Sequence, residues 1–126
     1  MKNIFISFTI FICMLLTIIF SINYLNKIYA NIENLNNNLE QFIEGDDWNS
    51  SYKLVNEISD ELDKHSSKIS IFVNHSELDN IKSEFNKLTQ YIKYHNKDEA
   101  MASLYAVKFF FQHTLKLERI SIENIL

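Results

Sequence analysis

The sequence predicts an all-α protein: one N-terminal transmembrane helix followed by an antiparallel bundle of about four helices. Three observations carry this reading. Residues 4–22 (IFISFTIFICMLLTIIFSI) hold no charge, no proline and no glycine. Beyond them, apolar residues recur at steps of three and four, the period of a helix. The 126 residues contain a single glycine, Gly45, and no proline. That excludes folds built on tight turns, such as sandwiches, disulfide-framed domains and phosphate-cradling glycine loops.

The first element is the apolar run itself. As a helix its 19 residues extend about 28 Å at ~1.5 Å per residue, close to a hydrocarbon core of ~30 Å. The 96 residues after position 30 are too few to enclose such a helix on all sides as a soluble core. Residues 1–26 are therefore expected to be a membrane anchor and residues 27–126 a helical domain outside the cytoplasm. The anchor is expected to stay uncleaved, since the best small-x-small site, Ile28-Tyr29-Ala30, has a bulky isoleucine where a small residue is wanted. The α-amino group and Lys2 outnumber Lys27, which places the N-terminus inside. Tyr24 and Tyr29 suit the outer interface.

Ile28, Ile32, Leu35, Leu39 and Phe42 form one apolar stripe, on a helix that continues from the span. The opposite face, rich in Asn34, Asn36, Asn37 and Asn38, is expected in solvent. Glu44-Gly45-Asp46-Asp47 ends this helix, with Gly45 at its C-terminus and an aspartate as the next N-cap. The second helix carries Trp48, Tyr52, Val55, Ile58, Leu62, His65, Ile69 and Phe72. Val73-Asn74-His75-Ser76 ends it, and Ser76-Glu77-Leu78-Asp79 approximates a capping box for the third. That helix presents Leu78, Ile81, Phe85, Leu88 and Tyr91 or Ile92. A break at His95-Asn96-Lys97-Asp98 precedes the fourth, with Met101, Leu104, Val107 or Lys108, Phe111 and Leu115. The tail Ile120–Leu126 is expected to be a short terminal helix packed back on the bundle. Strands at 68–73 and 108–112 are disfavoured, being short, isolated and in phase with the helical stripes.

Charge is unevenly distributed. Residues 1–30 hold Lys2 and Lys27 and no acid, whereas residues 31–63 hold nine acids against Lys53. The net charge is −4, and the acidic first half excludes nucleic acid as a partner, because phosphates require a basic face. The single cysteine, Cys13, sits inside the apolar run, so no intrachain disulfide exists, and Ile10-Phe11-Ile12 before it lacks the small residue of a lipoprotein cleavage site.

No catalytic constellation emerges. The histidines His65, His75, His95 and His113 are spread along the chain without a His-x-x-x-His pair. No Gly-x-Ser-x-Gly elbow and no alternating-aspartate calcium loop is present. An enzyme is not expected, nor a cofactor or a metal site. The candidates that remain are for interaction: Trp48 opening helix 2, His75 with Asp79 four residues on, and Phe109 and Phe110. With Phe111 these two cover three sides of one helical turn. The acids Asp60, Glu61 and Asp63 read as a solvated face. His65 on an apolar stripe reads as a half-buried histidine bonded to a neighbour, with external pH sensing as a minor alternative.

Gly45-Asp46-Asp47-Trp48, the run Phe72-Val73-Asn74-His75-Ser76-Glu77-Leu78-Asp79-Asn80-Ile81, Tyr91-Ile92 and the closing Ile122-Glu123-Asn124-Ile125-Leu126 resemble the DUF4363 family. This is a family of small membrane-anchored proteins of unknown function from clostridia and related bacteria. The resemblance spans nearly the whole chain, and 11 Lys, 15 Asn and 18 Ile fit an AT-rich genome. It implies that the Trp48 opening, the Asn74-His75 turn and Asn124 are marked positions. It also implies a second tryptophan in many members where this chain has His65, and accessory proteins as the closest functional analogy.

The expected function is a non-enzymatic accessory module for a membrane partner, in contact with the lipid bilayer. The alternatives are an extracytoplasmic sensor binding a small ligand or cation between helices 2 and 3, and a structural protein whose first stripe zips two copies together.

Overall fold

The structure, a computed structural model, describes residues 1–125, and the side chains of residues 1–71 and 73–113. Four helices account for the fold: α1 (Lys2–Glu44), α2 (Trp48–Phe72), α3 (His75–Lys93) and α4 (Lys97–Ile125). With no proline and no glycine before Gly45, nothing in α1 removes a backbone donor or weakens the ladder. The apolar segment and the first bundle helix are consequently one 43-residue helix, about 65 Å long. It is long and apolar enough to cross a membrane, and the side chains of its most hydrophobic stretch have no cover from the rest of the chain.

The bundle is a ring. Each helix packs antiparallel to the next, and α4 closes back on α1. Its core takes Ile28, Ile32, Leu39 and Ile43 from α1, Val55, Ile58, Leu62 and Ile69 from α2, Leu78, Ile81, Phe85, Leu88 and Ile92 from α3, and Ala100, Leu104, Val107 and Phe111 from α4. Burying each large aliphatic side chain contributes about 1.5–3 kcal/mol, which makes these stripes the main source of stability. Edge-on contacts of Phe111 with Tyr29 at 5.5 Å and with Phe85 at 6.2 Å join α1, α4 and α3.

The expected stripes are the core, with specific departures. Leu35 and Phe42 are only partly buried, while Leu25, Tyr29, Asn36 and Ile43 are enclosed. Two neighbours, α2 and α4, press on α1 and widen its buried arc beyond one stripe. Asn36 thus leaves the solvated asparagine face, and Tyr29 leaves the interface expected for it. Tyr52 lies on the exposed side of α2, and Leu54 takes the inward place. In α3 it is Ile92, not Tyr91, that is buried. The tail is continuous with α4 rather than a separate helix. Its side chains, with those of Phe72 and Leu115, lie outside the described residues.

The turns also differ from expectation. At both α1–α2 and α3–α4 the chain closes in a Schellman motif with one hydrogen-bond pattern. Asp46 N–H bonds Ile43 O and Asp47 N–H bonds Phe42 O, as His95 N–H bonds Ile92 O and Asn96 N–H bonds Tyr91 O. The left-handed residues are Asp46 (φ 57°) and His95 (φ 56°), whereas Gly45 has an ordinary φ of −82°. Asp47 caps α2 as expected, accepting from Ser50 N–H at 3.2 Å. Helix α3 begins two residues earlier than the Ser76 box predicts: Asn74 is its cap and accepts from Ser76 N–H at 3.1 Å. Asn74 fits this position because its short amide competes with the helix for backbone donors.

Strain at the first turn therefore falls on Asp46. Asp46→Val is expected to destabilise the full chain by about 1–2 kcal/mol, since a branched side chain is disfavoured at positive φ. Gly45→Ala is expected to cost less, its new Cβ meeting the Gln41 carbonyl oxygen at 3.3 Å and the Phe42 carbonyl oxygen at 3.8 Å without a positive φ. Thermal unfolding by circular dichroism in detergent micelles checks the order of the two.

Candidate interaction surface

The five candidate residues occupy three separate places. Trp48 opens α2 at the end of the bundle that carries the two Schellman turns. Its indole is half-buried and stacks face to face on the His95 ring, with centroids 5.0 Å apart and planes 6° apart. Lys97 ties the same end together, donating to Glu44 O at 2.9 Å and pairing with Asp46 at 3.3 Å. Trp48 is thus a clasp between the two turns.

His75 and Asp79 lie at the opposite end, on the first turns of α3. Both are exposed, and no hydrogen bond or ion pair joins them to each other. Two acids of α2 are engaged elsewhere: Asp63 pairs with Lys82 at 3.5 Å, and Glu61 stands 3.4 Å from His65 Nε2. Among the described residues no three His, Cys, Asp or Glu side chains converge on a point where a metal ion could sit.

Phe109, Phe110 and Phe111 divide as three successive residues 100° apart on a helix must. Phe111 enters the core, Phe110 packs on its edge, and Phe109 faces outward with 62% of its surface exposed. Phe109 stacks on His113 at 5.9 Å, planes 8° apart, and Phe110 meets it edge-on at 6.2 Å. One turn earlier, Tyr105 is 54% exposed. Tyr105, Phe109 and His113, four residues apart, form an outward aromatic strip along α4.

The strip is anchored to α1. Tyr105 donates its hydroxyl to Glu40 Oε1 at 2.9 Å, and Lys108 donates to Glu40 Oε2. The Lys108 bond, then the Tyr105 bond, holds the Glu40 carboxyl below the ordinary value of 4.5, and the same contact raises the Tyr105 hydroxyl above 10.0. Below this cluster α1 and α4 part slightly around a cleft of about 150 Å³, lined by Glu33, Asn36, Lys108 and Gln112 among others. Asn36 is 1% exposed, and its Oδ1 has no hydrogen-bond partner. The cleft is polar and large enough to take water there.

A second cross-helix contact was signalled by sequence only as a histidine on an apolar stripe. His65 is half-buried, and its Nδ1 and the Tyr24 hydroxyl are hydrogen-bonded at 2.8 Å. An imidazole protonated on Nε2 satisfies both this bond and the approach to Glu61. The Glu40–Tyr105–Lys108 cluster had one trace in the sequence, a lysine beside Val107 on the α4 stripe. Which carboxylate it meets depends on how α1 and α4 register.

Two expectations follow. Trp48→Ala should destabilise the chain by about 2 kcal/mol, as half of a buried-tryptophan deletion, while Phe109→Ala stays within about 0.5 kcal/mol as a surface change; thermal melts separate them. Glu40 is held below its unfolded value, so its contribution is present above about 4.5 and is lost as pH falls through the lower folded value. Lys108→Met should flatten that decline in melting temperature between pH 5 and 3, values on either side of the glutamate range.

A family model described as a domain of unknown function (DUF4363) matches residues 19–125. No curated protein matches the chain, and no solved structure does.

Proposed function

The chain belongs to the DUF4363 family, and for this member we propose a membrane-anchored, non-enzymatic interaction module that serves as accessory subunit to a membrane partner. The first half of α1 holds the protein in the bilayer, with the N-terminus in the cytoplasm and the bundle outside. What supports the anchor is an uncharged 19-residue run, continuous with the bundle and without cover from it. The balance of Lys2 and the α-amino group against Lys27 supports the orientation.

The single observation that carries the interaction reading is the α4 strip. Phe109 lies open although His113, stacked on its ring, and Phe110, set edge-on to it, hold it in place. An exposed aromatic residue already immobilised loses little side-chain entropy on binding, and aromatic residues dominate the energetics of interfaces. The partner docks an apolar helix or loop across Tyr105, Phe109 and His113. Ile28, Ile32 and Leu39 of the α1 stripe are buried inside the chain, which favours a separate partner over a zipper between copies.

Affinity purification of the tagged full-length protein from native membranes, after brief cross-linking, tests this. One membrane protein should be recovered in near-equal amount with the wild type, and Phe109→Glu should lose it at an unchanged melting temperature. Recovery of the protein alone, or of the same partner by both forms, overturns the assignment.

A further inference from the structure

Where α1 leaves its apolar segment, a groove of about 300 Å³ opens between it and the last turns of α2, lined by Phe20, Ser21, Tyr24, Lys68 and Ile71. Its two apolar walls are unusually open, with Phe20 78% and Ile71 75% exposed. Lys68 Nζ lies 5.2 Å from the centre of the Tyr24 ring, whose hydroxyl is fixed by His65. The groove thus has a fatty floor and a cationic rim.

We propose that this groove holds a phospholipid of the surrounding bilayer, with its acyl chain on Phe20 and Ile71 and an anionic headgroup at Lys68. The proposal rests on the anchored reading above, and two features of the chain single out lipid as the occupant. The first is depth. Phe20 belongs to the apolar run that ends at Ile22, and α1 is unbroken there, so Phe20 stands at the outer boundary of the hydrocarbon. Ile71 shares a groove with Phe20 and must stand at the same level, where the solvent is lipid. The second is charge. Residues 1–32 and 64–76 contain no aspartate or glutamate, and they contribute Lys27, Lys64 and Lys68 to this end of the bundle. Glu77 and Asp79 stand on the first turns of α3 at the same end, so the basic character belongs to the α1–α2 side that carries the groove, the arrangement an anionic headgroup attracts.

Depth-dependent fluorescence quenching of the full chain in nanodiscs decides the matter. In a Trp48→Phe background, single tryptophans are placed by Phe11→Trp, Ile71→Trp and Tyr94→Trp, the last at the far end where Tyr94 is 74% exposed. Brominated lipid should quench the tryptophans at 11 and 71 and leave the one at 94 bright. At equal mole fraction, brominated phosphatidylglycerol should quench position 71 with about five-fold greater apparent affinity than brominated phosphatidylcholine, and Lys68→Gln should remove that preference. Quenching at 11 without quenching at 71 overturns the groove and leaves the anchor standing. Absence of quenching at 11 removes the anchor and the groove together. Equal quenching at 71 by both lipids, unaffected by Lys68→Gln, overturns the headgroup assignment.

Discussion

Everything in this molecule depends on α1 being one helix. Its first half shows its side chains to the surroundings on every face, and its second half buries a wide arc against two other helices. Between the two there is no proline, no glycine and no loop to absorb a change of direction. The rotation of the bundle about the apolar segment is then fixed by 3.6 residues per turn. This sets which side chains of α2 meet the apolar segment and which face away from it. Ile71 lies open beside Phe20 because of that fixed geometry, and no local preference of α2 explains its exposure.

The remaining helices answer to the same constraint. Both turns at the far end have one hydrogen-bond pattern, and both place a non-glycine residue in the left-handed region. Aspartate tolerates that conformation through its short polar side chain. At the second turn His95 occupies the corresponding position, and its ring is the one that stacks on Trp48. The strained backbone and the clasp are thus the same residue, an instance of unfavourable local geometry held by the contact it makes possible.

The fold was legible in the sequence because helix periodicity is a local property. Ile28, Ile32 and Leu39, then Val55, Ile58, Leu62 and Ile69, then Leu78, Ile81, Phe85 and Leu88 all lie in the core, with Leu35 and His65 at its edge. Less legible was the width of each buried arc, which depends on how many neighbours a helix has. Asn36 and Tyr29 became interior because α1 is pressed from two sides, and Tyr52 became exposed because α2 turns that edge outward. Gly45 caps the C-terminus of α1 as expected, and the left-handed conformation falls one position later, on Asp46. The site was legible in part. Three adjacent phenylalanines cover three sides of a helical turn, more than one core face can take, and Phe109 is the exposed one. Trp48 carried the same aromatic signal and stacks on His95, 47 residues away and brought near only by the bundle. The cross-helix pairs Tyr24–His65 and Glu40–Lys108 depend on the register between helices, which no stripe encodes.

The seam between α1 and α4 differs from the other three in one respect. The α1–α2, α2–α3 and α3–α4 contacts each join helices consecutive in the chain, and so form over short loops. The Tyr105 and Lys108 bonds to Glu40 span 65 and 68 residues, and closing so long a loop carries the largest entropic cost in the fold. It also combines a buried asparagine, an ion pair and a cleft of about 150 Å³. During synthesis the first three helices can accumulate pairwise as they emerge, and the ring shuts only when α4 is complete. Opening this seam leaves the three short-loop contacts in place, so α2 and α3 each keep two neighbours and should hold the slowest amide exchange.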